Sequence, residues 1–217
     1  WEFEFWFVNS NKDINFTKYI VEKGSVAING VSLTVANVLV SSFNVSVIPH
    51  TYATTNFSNF IEGSKVNIDG PFGQAFVRTD NNRDVVCVAG GSGLGPMLSI
   101  VRHLANESSA NIRKIYFFFG GRQPEDMICN KYIQPYAKYF SELTIYNSVS
   151  ERSKNNLDNW SGSFGFIHEL VDKVLNVRAP EYEFYTAGPP EMNDSLVRLL
   201  QLNRNVPFEQ IHYDSFF

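Results

Sequence analysis

Two different rhythms of hydrophobic and polar positions run along this chain. In the first third, apolar residues come in short stretches broken by Gly or Ser pairs. Residues 1–8 alternate aromatic and polar side chains, and residues 25–28, 31–40 and 43–48 are rich in Val and Thr. These are strand and hairpin signals. Residues 16–21 fit a short helical turn, residues 51–60 are polar and aromatic without a clear period, and residues 65–68 read as a further strand closed by Asp69-Gly70-Pro71. Several short strands with tight turns predict an antiparallel sheet or barrel.

From residue 71 onward the pattern changes to unbroken apolar runs that alternate with segments of helical spacing. Strands are expected at 85–89, 114–119, 143–149 and 182–187, with a last one at 209–213. Helices are expected at 97–104, 128–139 (interrupted by Pro135), 166–177 and 191–203. Continuous apolar strands alternating with helices predict a parallel, doubly wound sheet. The expected division is 1–70 for the barrel and 71–217 for the α/β domain, an antiparallel Greek-key barrel followed by a parallel nucleotide-binding domain.

The most informative stretch is Val85-Val86-Cys87-Val88-Ala89-Gly90-Gly91-Ser92-Gly93-Leu94-Gly95-Pro96. It reads as strand, glycine turn, helix. Glycine lets a backbone take positive φ and approach a bulky anion, and Pro96 suits the first turn of a helix. Unpaired N–H groups and the positive end of the helix dipole then converge where a pyrophosphate would sit. The match to a dinucleotide fingerprint is loose, since Gly91 and Gly93 are not followed by a third glycine three residues on, and a plain strand-to-helix connection remains the alternative. Two more glycine turns, Gly120-Gly121-Arg122 and Gly188-Pro189-Pro190, end other predicted strands.

Composition narrows the choice. A length of 217 residues, 44% hydrophobic and 18% charged, fits one large or two small globular domains. A net charge of −4 without a basic stripe argues against a nucleic-acid surface. No apolar run approaches the ~20 residues needed to cross a bilayer. The chain opens on Trp1 with no signal peptide, and the expectation is that its true start has been lost. Two cysteines, Cys87 and Cys129, are too few for an iron–sulfur cluster and read as reduced thiols of a cytoplasmic protein. The four histidines are too scattered for a metal site or a Ser-His-Asp triad, and His168 reads as structural.

The run Lys23-Gly24-Ser25-Val26-Ala27-Ile28-Asn29-Gly30-Val31-Ser32-Leu33-Thr34-Val35, continued by Ile48-Pro49-His50-Thr51, Thr54-Thr55 and Gly63-Ser64-Lys65-Val66-Asn67-Ile68, resembles the second lumazine-binding repeat of riboflavin synthase. That resemblance implies a six-stranded Greek-key barrel binding a lumazine or flavin ring. The ring contacts would come from Lys23, Ser32, Thr34, Ile48, Pro49, His50 and Thr51. Asn29 stands where that family usually has an acidic residue, and the strand that normally precedes residues 1–8 is missing. An open barrel edge would favour oligomerisation through the barrel.

Gly70-Pro71-Phe72-Gly73, Gly90-Gly91-Ser92-Gly93-Leu94-Gly95-Pro96, Gly120-Gly121-Arg122, Trp160 with Gly165-Phe166-Ile167-His168, Gly188-Pro189-Pro190-Glu191-Met192 and the ending Ile211-His212-Tyr213-Asp214-Ser215-Phe216-Phe217 together resemble the NAD(P)-binding domain of the ferredoxin–NADP reductase family, nearest to reductase components of bacterial aromatic-ring oxygenases. The resemblance implies that Gly91, Ser92, Gly93, Leu94, Gly95 and Pro96 hold the pyrophosphate. Arg122 and Ser150 would lie beside the adenosine ribose. Gly188, Pro189 and Met192 would flank the nicotinamide, with Phe216 and Phe217 near the flavin. Ala187 replaces the cysteine that many relatives carry beside the nicotinamide. Glu151 beside the ribose would repel a 2′-phosphate and favour NADH over NADPH, an effect tempered by Arg152.

No arginine precedes Arg78, so the arginine clamp by which that family grips flavin phosphates is missing. The chain reads as a fusion of two related architectures, natural or engineered. Riboflavin is then favoured over FMN or FAD. The leading expectation is an NADH-dependent flavin oxidoreductase passing hydride to a flavin at the barrel interface, with a possible electron-acceptor protein as partner. The alternatives are a flavin- or lumazine-binding fusion without turnover, and a riboflavin-synthase-like transferase that needs a second barrel.

Overall fold

In the computed structural model, residues 3–8, 16–69, 75–78, 81–151 and 160–215 are described. The chain forms two compact units, Trp1–Phe72 and Gly73–Phe217.

The first unit is built on an antiparallel sheet of β1 (Phe3–Val8), β2 (Ser25–Ile28), β3 (Val31–Val38), β4 (Ser42–Val47) and β5 (Ile68–Asp69), in the order β1-β4-β3-β2-β5. Five strands are thus described where the resemblance implies six. Alternation sets the faces. Leu33 and Val35 on β3 point inward with Val26 and Ile28 on β2, whereas Ser32 and Thr34 point to solvent. Asn29 and Gly30 link β2 to β3 with φ of 46° and 81°. This is the left-handed pair that a two-residue hairpin turn demands. Asn29 also ties the turn down: its N–H donates to the Asn67 carbonyl at 2.9 Å, and its Oδ1 accepts from the Asn67 N–H at 2.7 Å. The core holds Phe7, Phe43, Phe57, Val45 and Val47. Fully burying such a side chain is worth about 1.5–3 kcal/mol, more than the Phe3–Tyr52 stack at 4.0 Å adds at its rim.

Residues 51–60, which show no period, take up the end of α1 (Pro49–Thr54) and a 3-10 turn, Asn56–Asn59. No residue of α1 is buried, so no apolar stripe marks it. Pro49 starts it, and the Thr54 and Thr55 hydroxyls donate back to the His50 and Thr51 carbonyls at 2.8 and 2.7 Å. The predicted strand at 65–68 is confined to Ile68–Asp69.

The second unit is a six-stranded parallel sheet: β6 (Val85–Gly90), β7 (Lys114–Gly121), β8 (Glu142–Val149), β9 (Ser163–Phe164), β10 (Glu183–Gly188) and β11 (Ile211–Ser215), in the order β11-β10-β6-β7-β8-β9. Helix α2 (Leu94–Leu104) packs on β6 and β10 and meets α3 (Cys129–Ile133), while α4 (Ile167–Leu175) and α5 (Pro190–Arg198) pack on one another, α4 on β7 and β8 and α5 on β10 and β11. Val86, Val88, Phe118 and Phe184 face α4 and α5 in one core. Both faces being covered explains the unbroken apolar strands: β6 and β10 are buried throughout.

Several helices end earlier than their periodicity predicts. After α3 the chain tightens into a 3-10 run, Gln134–Tyr139, because Pro135 has no N–H to continue the α pattern. α5 gives way to a π turn, Leu199–Asn203. A 3-10 turn, Phe208–Gln210, occupies the predicted start of the last strand. There the Gln210 side-chain amide donates to the Pro180 and Tyr182 carbonyls at 3.1 and 2.8 Å, pinning this turn to the entry of β10.

Candidate functional site

The strand order places the site. From β6 the connections step outward through β7, β8 and β9, and β10 then returns to the other side of β6. The helices that follow β6 and β10 diverge there, leaving a crevice beyond their carboxyl ends, where ligands of such sheets bind. A cavity of about 830 Å³ opens at this point.

Its floor is made of glycine backbone and a thioether. A β-carbon on Gly90 would lie 2.6 Å from Met192 Sδ, and one on Gly188 would lie 3.2 Å from the backbone N and O of Gly90. Gly93 approaches most closely: a β-carbon there would be 1.8 Å from the Ala187 carbonyl oxygen. Gly93 therefore lets the turn lie against β10. Gly91 is the residue that faces open space. It has φ of 54°, a β-carbon on it would meet nothing within 4 Å, and it lines the cavity. A 3-10 turn, Gly91–Gly93, runs directly into α2. Its first amides have no partner within the helix, so Gly91 brings donors and the positive helix end to the cavity.

On the other side, the ends of β7 and β8 continue their ladder past the strands. Ser150 N–H donates to the Gly121 carbonyl at 3.0 Å and Glu151 N–H to the Arg122 carbonyl at 2.9 Å. Asp126 folds back to accept the Arg122 and Gln123 N–H groups at 2.9 and 3.0 Å. Gly121 leaves room for this, since a β-carbon there would be 2.9 Å from the Asp126 β-carbon. The Gln123 side-chain amide donates to the Glu151 carboxylate at 3.5 Å. Arg122, Ser150 and Glu151 are all exposed.

Of the residues expected to bind the nucleotide, Gly91, Arg122, Ser150, Pro189 and Met192 come together around this cavity. Ser92 is exposed, Gly93, Leu94 and Gly95 are buried behind the turn, Pro96 is half-buried, and Gly188 is buried in β10. Phe216, Phe217, Arg152 and the Gly70-Pro71-Phe72-Gly73 turn lie outside the described residues. Glu191, within the Gly188–Met192 stretch expected at the nicotinamide, lines the cavity too, and so do Phe166, Ile128, Asp126 and His168, a role the sequence pattern did not assign to them. Phe166 is 61% exposed, with the His168 ring stacked on it at 5.8 Å and 15°. An aromatic face left open beside a cleft suits a planar ring, and exposure is a signal that periodicity does not carry.

The environment of both thiols disfavours the thiolate. Cys87 is fully buried on β6 with its pKa pushed up by desolvation. Burial also pushes Cys129 up to about 12, and its Sγ donates to Asn147 Oδ1 at 3.1 Å. Among the described residues no group of His, Cys, Asp and Glu is placed to hold a metal, and no helix is long and apolar enough to cross a membrane.

In the first unit, Ser32 and Thr34 lie on the exposed face of β3, opposite Ala27 and Ser25 of β2. Lys23 precedes β2 with φ of 64°, its N–H donating to the Val35 carbonyl at 2.9 Å. Ile48, Pro49 and His50 are exposed and Thr51 half-buried, where β4 passes into α1. The Ile48, His50 and Thr51 carbonyls are taken by α1 itself: Tyr52 N–H donates to Ile48 at 3.0 Å, and the threonine hydroxyls take the other two. The backbone here therefore offers few of the acceptors expected, while the Ser32 and Thr34 hydroxyls remain suited to the edge of a flavin or lumazine ring. The described part of this unit contains no arginine.

Comparison with known proteins agrees with both halves. Residues 3–70 match the lumazine binding domain family and residues 87–198 the oxidoreductase NAD-binding domain family. The chain is 37% identical over 161 residues to the ferredoxin–NAD(P)(+) reductase CarAd of Metapseudomonas resinovorans, covering 74% of this chain and 46% of that protein. It is 36% identical over 157 residues to a component of the Na(+)-translocating NADH-quinone reductase of Neisseria meningitidis, covering 71% of this chain and 38% of that component. The solved ferredoxin reductase in carbazole 1,9a-dioxygenase superposes with a TM-score of 0.68 at 31% identity, covering 91% of this chain and 60% of that one. The chain thus spans less than half the length of these curated relatives.

Proposed function

This chain belongs to the oxidoreductase NAD-binding domain family, and from that premise we propose that it oxidises NADH and delivers the hydride to a flavin. The observation that carries the reading is the cavity at the β6–β10 switch point. It joins a helix-opening glycine turn, a polar rim at Arg122 and Ser150, and an apolar floor at Pro189 and Met192. The Gly91 turn supplies amide donors for a pyrophosphate. Arg122 and Ser150 supply a cation and a hydroxyl for an adenosine ribose. Pro189 and Met192 supply a flat apolar seat for the nicotinamide. A bound flavin would supply the two-electron acceptor chemistry. The chain's own residues would orient the nicotinamide against Pro189 and Met192.

Glu151 supports NADH over NADPH. Its exposed carboxylate is held at the end of β8 beside Ser150 and would repel a 2′-phosphate. In the first unit, Ser32 and Thr34 are the hydroxyls best placed for a flavin ring. The lack of arginine among its described residues supports riboflavin over FMN or FAD. The names of the relatives support an electron-acceptor protein as the onward partner. Two buried, reduced thiols fit a cytoplasmic setting.

The test is NADH oxidation followed at about 340 nm, with and without added riboflavin or FAD. The expected result is oxidation that depends on flavin and is slower with NADPH. Flavin binding without NADH oxidation would replace this reading with a binding module. Riboflavin formed from a lumazine would replace it with a transferase.

A further inference from the structure

Asn193, fully buried on α5, has an amide used on both sides. Its Oδ1 accepts from the buried Thr186 hydroxyl at 2.9 Å, and its Nδ2 donates to the Asp214 carbonyl at 2.9 Å and the Gly188 carbonyl at 3.4 Å. The partners fix the orientation of the amide, because Nδ2 meets only carbonyl oxygens. One side chain thus ties together the carboxyl ends of β10 and β11.

The consequence falls on the crevice floor. Pro189 and Pro190 have no N–H. The carbonyl is therefore the only hydrogen-bonding group of the Gly188–Pro189 peptide, and Asn193 Nδ2 donates to it at 3.4 Å. The Pro189 carbonyl is likewise consumed, accepting from the Met192 and Asn193 N–H groups at 3.0 and 3.2 Å. The backbone here thus offers the cavity no free carbonyl from Gly188 or Pro189, and the Pro189 ring and the Met192 thioether line it beside the side chains of Glu191 and Ser195.

We propose that Asn193 is a positioning residue for the nicotinamide end of the site: by bonding the Gly188 carbonyl and the Asp214 carbonyl of β11 with one amide, it occupies the backbone acceptors under Pro189 and Met192 so that these two side chains receive a ring by its face. The inference rests on the NADH reading above and extends it to a residue that touches no ligand.

The test titrates the full chain with NAD+ and with ADP-ribose, which lacks the nicotinamide, by calorimetry, alongside thermal unfolding. Asn193→Asp places a carboxylate against two carbonyl oxygens. It is expected to weaken NAD+ about tenfold while changing ADP-ribose binding less than about twofold. Lowering the pH restores NAD+ binding to this variant as the buried acid becomes protonated and can donate again. Thr186→Val, which frees the amide to rotate but keeps the volume, is expected to act in the same direction by about threefold. Equal loss of both ligands, or NAD+ binding unchanged in both folded variants, would overturn the proposal while leaving the NADH reading intact. A wild-type chain that binds neither ligand would overturn that reading, and this inference with it.

Discussion

Gly93 and Ala187 pack backbone against backbone, so that a β-carbon on Gly93 would sit 1.8 Å from the Ala187 carbonyl oxygen. Neither backbone can yield without breaking the β6–β10 pairing beside it, in which Ala187 opposes Ala89. Gly93→Ala is therefore expected to destabilise the chain by about 3 kcal/mol, at or beyond the upper end for overpacking, and Gly93→Val to prevent folding of the second unit. Gly91→Ala meets no neighbour and carries only the left-handed backbone penalty of about 1–2 kcal/mol. Urea denaturation of the three variants checks the ranking. Equal effects at the two positions would show that close approach is not what Gly93 provides.

Asp126 holds the turn that presents Arg122, accepting the Arg122 and Gln123 N–H groups. Asp126→Ala leaves both donors to solvent and is expected to lower stability by about 1 kcal/mol, as loss of a cap does. Asp126→Asn keeps an acceptor and is expected to retain most of it. NAD+ affinity should fall in the alanine variant and recover in the asparagine variant, measured by the same calorimetry.

Tyr185 is buried, and desolvation pushes its phenol up to about 12, while the Arg78 N–H donating to its oxygen at 2.9 Å acts in the opposite direction. Burial also raises Tyr182 to about 12. The fold favours the neutral phenols, whereas unfolded tyrosine ionises near pH ~10. This contribution to stability is complete below about pH 10 and is lost as pH rises toward about 12. Denaturant midpoints measured across that window should fall, and Tyr185→Phe should flatten the fall. At neutral pH the same variant leaves the Arg78 N–H without its acceptor, a loss of about 1 kcal/mol.

Asn29 is held at positive φ and is bonded to Asn67 through both its backbone and its side chain. Asn29→Ala removes the side-chain acceptor and places an alanine in the left-handed region. It is expected to lower the stability of the first unit by about 1–2 kcal/mol. Asn29→Asp preserves the acceptor and should be nearly neutral. Circular dichroism during urea titration distinguishes the two.

Much of the architecture was written in local patterns. Alternation along β2 and β3 reports one buried and one wet face, and the unbroken runs of β6 and β10 report cover on both. The glycine turns mark the strand ends, and the pair Asn29-Gly30 marks a hairpin. These signals are legible because each depends on a residue's own burial or backbone angle. Helix α1 escaped notice for the same reason, since it buries nothing and so leaves no period. The tertiary structure alone decided which surfaces meet. It set Gly93 against Ala187, joined Asn193 to Gly188 and Asp214, and brought Phe166 and Asp126 to the cavity of Gly91 and Met192. Periodicity tells that a face is covered but not by what. The site forms where strands far apart in the chain become neighbours, and that adjacency is a property of the sheet order.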